Sequence, residues 1–429
     1  MRILKPVIIL TFLICLITTA YSQVKPDYEI LADSFNVSNP NAVQAIDIPY
    51  GEIDPSKQLF HLFLPDTVGT FPLVIFFHGG GFTDGSPGTV FQDSVRRENV
   101  KYFLENEVAF ISVGYRLIEK NGPDLDGVIK CLLDAKLGLQ YIRHYANDIH
   151  IDPNRIDLMG TSAGAGTSLW LGFRDDMANP DSENPVLRES TRVSAVFASG
   201  TQSTYDIYKW ETEIFNNFDG EGTSFTLDSI AEVMTTESLS NFYGGLDSVY
   251  QLVHDPAMVE YRQEVDMLYH LSSDDPPLYL FSQNNADHPS DDVLHHWYHS
   301  EELYEVALDV NLSEVKVEIL YPSIITTDGE SGNEFILRHI KTSSETILNV
   351  ADIPSVEIYP NPASTHFFLN LMNDEIKKVE ILSLSGRILS SKSNPDQTKP
   401  IPISWLETGV YLVKITGIKT ETLRKLVIK

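Results

Sequence analysis

The segment Gly160-Thr161-Ser162-Ala163-Gly164 sets one serine between two glycines, directly after the apolar run "RIDLM" and directly before "AGAGTSLWLGF". A sharp strand-to-helix turn of this kind lifts a serine oxygen above a sheet, and its glycines are required because neighbouring backbones come too close for a Cβ. A serine hydroxyl is a poor nucleophile until an imidazole takes its proton, and the imidazole needs a carboxylate to fix its tautomer. A second glycine run, "HGGGF" from His78 to Phe82, follows the apolar "PLVIFF". A glycine run that ends a strand can aim backbone N–H groups at a developing oxyanion, and the helix start after Ser162 supplies another.

These groups need a scaffold that brings strand ends together. Between Val43 and Pro322, apolar runs of strand length ("QLFHLFL", "PLVIFFH", "VAFISVGY", "RIDLMG", "VSAVFAS", "PLYLFS", "KVEILYP") alternate with segments of helical period. The pattern predicts an α/β fold, a mainly parallel sheet with helices on both faces, whose ligands meet the loops at the carboxyl ends of the strands. Residues 200–277 break the rhythm with acidic and aromatic residues and short helical pieces, and read as a cap insertion. After Ile353 short alternating runs spaced by Asn, Pro, Ser and Gly predict a small all-β sandwich.

"HGGGF" and "GTSAG", with "VGYRL" (Val113 to Leu117) and "DPNRIDLMGTSAG" (Asp152 to Gly164), resemble the α/β-hydrolase esterases with an H-G-G-G oxyanion motif, the hormone-sensitive-lipase-like and acetyl or feruloyl esterase-like group. The likeness runs from about Ile46 to Pro322. It implies Ser162 as nucleophile and Gly80, Gly81 and Ala163 as oxyanion donors, with His78 positioning the glycine loop and Tyr115 and Arg116 structural. Further on, "YPNPA" (Tyr359 to Ala363), "LETGVYLVKI" (Leu406 to Ile415) and the basic close "RKLVIK" resemble the C-terminal sorting domain of the type IX secretion system of Bacteroidetes. That implies handling by the type IX machinery and a secreted or cell-surface destination reached through the periplasm.

The chain order in this fold is Ser, then Asp or Glu, then His. The acid should follow "PPLYLFS", where "QNNADHPSDD" offers Asp287, Asp291 and Asp292. Counting forward from the strand favours Asp287, the residue preferred here, and counting back from the helix "SEELYEVAL" favours Asp292. The base is the departure from the family, because no histidine follows the last strand within a few residues. His339 sits inside a helix pattern that would point it down the sheet. His295 and His296 precede or open a helix starting at the same sheet edge as Ser162, and either can serve as base, with His288 and His299 read as exposed loop and helix residues. His295 and His299 stand four apart, but His296 occupies the place of the glutamate in H-E-x-x-H, so neither metal nor cofactor is expected.

The 429 residues suggest two domains plus trimmings, and a net charge of -29 argues against nucleic acid or anionic lipid as partners. From Pro354 onward ten Lys/Arg stand against seven Asp/Glu, so the acidity belongs to the earlier part. Residues 1–22, with Arg2 and Lys5 before an apolar stretch and "AYS", read as a signal peptide too short for a membrane anchor; cleavage would leave no membrane span. It would also remove Cys15 and leave Cys131, on a helical apolar pattern, as a buried filler without a disulfide partner. The expected organisation is a signal peptide (1–22), an α/β-hydrolase domain (23–353) and a sorting domain (354–429). The resemblance implies a secreted serine carboxylester hydrolase acting through an acyl-enzyme on small esters or on acetyl or feruloyl esters of polysaccharide. A non-catalytic binding protein of the same fold is the alternative that the missing histidine suggests, and a serine peptidase on this fold is another.

Overall fold

The computed structural model describes residues 24–342 apart from 216–224 and 286–291, and residues 356–429 apart from 360, 372–375, 384–387, 396–398, 407 and 418–420. The chain divides into two compact units, one ending at Ser344 and the other beginning at Glu345. Residues 1–22, the expected signal peptide, lie outside the described residues.

In the first unit ten strands form one sheet: β1 (Glu29–Ile30), β2 (Val43–Pro49), β3 (Leu59–Leu64), β4 (Phe71–Phe77), β5 (Ala109–Val113), β6 (Ile151–Thr161), β7 (Val196–Ser199), β8 (Leu278–Ser282), β9 (Val315–Ile319) and β10 (Ile324–Ile325). Their order is β1-β2-β3-β5-β4-β6-β7-β8-β9-β10. The run from β5 through β4 to β9 is parallel, and antiparallel strands flank it on both sides. Every residue of β4 and β5 is buried, as strands covered on both faces require.

Side chains alternate between the two faces with the period of two that a pleated strand imposes. Leu73, Ile75 and Phe77 of β4 join a core with Leu132 and Leu139 of the helix Val128–His144 and Leu169 of the helix Ala163–Phe173. Val74 and Phe76 point the other way, to Val100 and Phe103 of the helix Ser94–Glu105 and Phe335 and Ile336 of the helix Gly332–Thr342. Cys131 is buried in the first of these cores, and burial pushes its thiol up. Strand β2 has no counterpart among the sequence-predicted runs. Its alternation is interrupted by a bulge between Ala45 and Ile48, where Asp47 takes φ 56°.

β4 lies between β5 and β6, so the strand order reverses there and the carboxyl ends of β4 and β6 open a crevice. The helix Ala163–Phe173 is buried along its whole length. It reaches the sheet so closely that a Cβ on Gly164 would stand 2.0 Å from the carbonyl oxygen of Phe77. Between β7 and β8 the chain forms short helices, among them Leu227–Met234, Thr236–Phe242 and Pro256–Glu264. A buried ion pair joins two parts of this insertion, Arg262 Nε donating to Asp206 Oδ1 at 2.6 Å and Nη2 to Oδ2 at 2.9 Å. Tyr205 Oη donates to Ala163 O at 3.0 Å and so joins the insertion to the helix Ala163–Phe173.

The second unit holds two antiparallel sheets. One orders β11 (Val356–Tyr359), β12 (His366–Leu371) and β15 (Ile401–Pro402); the other orders β14 (Ile388–Ser393), β13 (Ile376–Leu382), β16 (Gly409–Gly417) and β17 (Glu421–Ile428). Phe367 and Ile401 of the first sheet share a core with Val379, Val413 and Leu426 of the second.

Gly164→Ala should destabilise the protein by about 3 kcal/mol, the upper end of the overpacking range, because backbone and not a flexible side chain opposes the methyl group. The urea midpoint measures it; an unchanged midpoint would show that the helix can back away from β4.

Candidate active site

Ser162 caps the helix Ala163–Phe173 with φ 54° and ψ -124°, a backbone state costly for a residue with a side chain. Two hydrogen bonds brace the turn: Ser162 N donates to Ser199 O of β7 at 3.0 Å, and Arg96 Nη2 donates to Thr161 Oγ1 at 2.6 Å. The "HGGGF" loop at the end of β4 lies directly on it. A Cβ on Gly79 would come within 2.8 Å of Thr161 O and 3.2 Å of Ser162 Cβ, so only glycine lets the two loops meet. Gly80 O accepts from the backbone N–H groups of Thr83 (3.1 Å) and Asp84 (3.0 Å), which sets the loop's course, while Gly81 lines the same space as Ser162 and Ala163.

His78 supports this loop from beneath. Its ring stacks on Tyr115 with centroids 4.4 Å apart, Tyr115 Oη donates to His78 O at 2.6 Å, and Nδ1 meets Gly79 O at 2.8 Å. Burial pushes its pKa down to about 4, which keeps the imidazole neutral. Arg116 donates through Nε (2.8 Å) and Nη2 (2.7 Å) to the buried Asp134.

The loop after β8 brings the imidazole. His295 Nε2 lies 2.9 Å from Ser162 Oγ, across 133 residues of sequence. His295 Nδ1 faces the carboxylate of Asp292 at 3.2 Å (Oδ1) and 3.3 Å (Oδ2). Asp292 Oδ1 also accepts the backbone N–H of His295 at 3.1 Å, and Oδ2 accepts Asn284 Nδ2 at 2.7 Å. One turn of chain therefore carries both acid and imidazole, and the carboxylate that holds the ring also closes the turn. Asp292 is the residue reached by counting back from the helix; Asp287, His288 and Asp291 lie outside the described residues.

The other histidines take different places. His296 is buried, its ring edge-on to Phe215 (5.6 Å) and Tyr298 (4.6 Å), and its Nδ1 accepts from Tyr298 N at 3.3 Å. His339 lies on the helix Gly332–Thr342 with Nε2 3.1 Å from Glu314 Oε2. His299, read from the sequence as an exposed helical residue, is completely buried. The correction has a structural cause: the helix Tyr298–Asp309 begins inside the insertion's packing and not at the surface, with His299 against Trp210 and Phe215. His299 Nδ1 accepts from Ser203 N (3.3 Å) and lies 3.0 Å from Ser203 Oγ, so Nε2–H is the donor to Val293 O at 2.9 Å. Gln202 Nε2 donates to Leu294 O at 2.6 Å. These bonds clamp the two residues between Asp292 and His295. Nothing in the sequence marks Ser203, Gln202 or Asn284 for this work; the His295–His299 spacing of one helical turn was the available signal. Among the described residues no cluster of His, Cys, Asp or Glu could hold a metal ion.

Two spaces of unlike character meet at Ser162. A cavity of about 660 Å³ is lined by His295 and Asp292 together with the polar side chains of Ser199, Gln283, Asn284 and Asn285. An apolar space of about 80 Å³ lies beside Gly81 and Ala163, enclosed by Phe82, Tyr205, Trp210 and Phe242 among others.

Residues 60–241 match the family model described as BD-FAE, and residues 357–429 match that of the secretion system C-terminal sorting domain. Among curated proteins, the neuroligin-like protein glit-1 of Caenorhabditis elegans is 26% identical over 182 residues, which is 40% of this chain and 22% of that protein. The chain thus spans about a fifth of that relative's length. Among solved structures, a truncated carbohydrate esterase from gut microbiota aligns with TM-score 0.52 at 14% identity, covering 72% of this chain and 99% of that one. An acetyl ester-xyloside bifunctional hydrolase from Caldicellulosiruptor lactoaceticus aligns with TM-score 0.45 at 19% identity, over 70% of this chain and 95% of the other. At such identity the first of these likenesses speaks for the fold. Among the described residues no helix is long and apolar enough to cross a membrane.

Burial pushes His299 down to about 3 and His78 to about 4 from the ordinary 6.5. Unfolding releases both rings to take protons that the native state refuses. Stability should therefore fall as pH drops below 6.5 and stop falling from this cause once the native rings themselves titrate. At pH 5 each ring should cost about 2 kcal/mol relative to pH 7. Urea midpoints at the two pH values should converge by that amount in His299→Gln; an undiminished difference would mean that the ring is not buried neutral.

Proposed function

We propose that this chain, which carries an esterase-like α/β-hydrolase domain and a type IX secretion sorting domain, is a secreted serine carboxylester hydrolase that removes acetyl groups from carbohydrate hydroxyls through an acyl-enzyme. The observation that carries the reading is the contact of Ser162 Oγ with His295 Nε2 at 2.9 Å, with Asp292 behind the imidazole. In the mechanism that this geometry supports, Ser162 Oγ attacks the ester carbonyl as His295 Nε2 takes its proton. Asp292 holds the Nδ1–H tautomer and stabilises the imidazolium that forms. The N–H groups of Gly80, Gly81 and Ala163 are the donors to the oxyanion of the tetrahedral intermediate. His295 then protonates the leaving alcohol, and water attacks the acyl-enzyme by the same route in reverse.

The group that protonates the leaving oxygen must stand beside it, so the alcohol belongs in the cavity that His295 lines and the acyl group in the space beside Gly81 and Ala163. The alcohol side is wide, open and lined by amides and hydroxyls, which suits a hydroxyl of a sugar chain. The acyl side is small and apolar, which suits acetyl better than feruloyl. The sorting domain puts the enzyme at the cell surface or outside the cell, where polymer too large to import is met. His295 on Ser162 supplies the base whose apparent absence after the last strand suggested a binding protein.

Ser162→Ala should lower kcat on p-nitrophenyl acetate by at least about 10³-fold, and Asp292→Asn by on the order of 10³ to 10⁴-fold through loss of the productive tautomer. Asp287→Asn should stay within about threefold of the parent. Unchanged turnover by Ser162→Ala would sink the serine mechanism; a large loss in Asp287→Asn with retention in Asp292→Asn would reassign the acid. Deacetylation of acetylated xylan, read as acetate released, tests the carbohydrate side.

A further inference from the structure

The 80 Å³ space beside Ser162 does not end at a thick wall. Beyond it lies a second cavity of about 450 Å³, bordered by Ile118, Glu119, Lys120, Val233 and Glu237, among others. Four residues line both: Gly81, Met234, Phe242 and Leu294. Three of them are committed elsewhere. Gly81 belongs to the oxyanion loop, and Leu294 sits in the acid–base turn, its carbonyl held by Gln202. Phe242 packs its ring against Tyr243 (5.2 Å), Tyr205 (5.7 Å) and Phe82 (6.2 Å). Met234 differs: it is the last residue of the helix Leu227–Met234, half-buried, with an unbranched side chain that adapts easily to its surroundings.

We infer that Met234 is the specificity-determining partition of the acyl site, closing a pocket for two- or three-carbon acyl groups against a cavity that would otherwise hold a medium chain. The inference rests on the reading of the small space as the acyl side. The space beside the serine, about 80 Å³, is far smaller than the 450 Å³ cavity beyond it, so a short acyl group fits the first and a longer chain needs the second. A six-carbon acyl chain has to pass through the volume that Met234 fills. Truncating Met234 joins the two spaces without touching the serine, the imidazole or the glycine loop. The larger cavity is apolar at Val233 and Ile118 and charged at Lys120, Glu119 and Glu237.

The test is the profile of kcat/KM over p-nitrophenyl acetate, propionate, butyrate, hexanoate and octanoate, for the full chain and for Met234→Ala. The parent should fall more than tenfold between propionate and hexanoate, and Met234→Ala should raise the hexanoate-to-acetate ratio at least about tenfold, the discrimination that methylene-sized fits provide. Met234→Val, a smaller excision at a helix end, should give an intermediate ratio and keeps the test open when the alanine variant folds poorly. A ratio within threefold of the parent in both variants, or a parent that takes octanoate as well as acetate, overturns the partition and leaves the esterase reading standing. No turnover of any ester by the parent overturns both.

Discussion

The strained backbone of Ser162 is the constraint around which the rest is arranged. A serine at φ 54° and ψ -124° is held against a penalty on the order of 1–3 kcal/mol, and it persists because its surroundings leave no alternative. The helix after it is jammed onto β4 at Gly164, its N–H is fixed by β7, and the glycine loop lies across it at Gly79. These restraints come from β4 and β7, the two neighbours of β6, so the turn depends on the parallel sheet and on the crevice that β4 and β6 open.

The turn that carries Asp292 and His295 is built on the opposite plan, with little help from the sheet. Asp292 and His295 are three residues apart and share one turn, which ties the carboxylate to ring and backbone alike. That compactness makes the pair independent of the connection after β9, where this fold ordinarily carries its histidine. It also makes the turn dependent on what braces it from outside, namely Gln202 on the carbonyl of Leu294 and His299, itself held by Ser203, on that of Val293. A buried neutral imidazole serves well as a brace, since it can accept and donate at once without carrying charge into an apolar site.

The insertion between β7 and β8 gives the site its two-sided character. Near its start are Gln202, which holds the Asp292–His295 turn directly, and Ser203, which holds it through His299; it continues through Tyr205, Trp210, Met234 and Phe242, which surround the small apolar space. The same stretch of chain thus steadies the imidazole and shapes the small apolar space beside Ser162. The buried pair of Arg262 with Asp206 holds two parts of the insertion together.

Sequence alone determined the parts of this protein that depend on local pattern. Apolar runs and helical periods announced a parallel sheet, and the glycines around Ser162 and after His78 announced two loops that must approach closely, because a missing Cβ is visible in sequence. Strand β2 escaped because its bulge at Asp47 breaks the alternation on which such reading relies. Only the tertiary structure decided which histidine meets the serine and which carboxylate stands behind it. His295, His296 and His299 share a type and a neighbourhood in sequence, and what separates them is the direction in which the turn before the helix faces each ring. One ring faces the crevice, one faces Phe215, and one is sealed beneath Trp210. Direction of that kind is set by packing between residues far apart in the chain, and no local pattern encodes it.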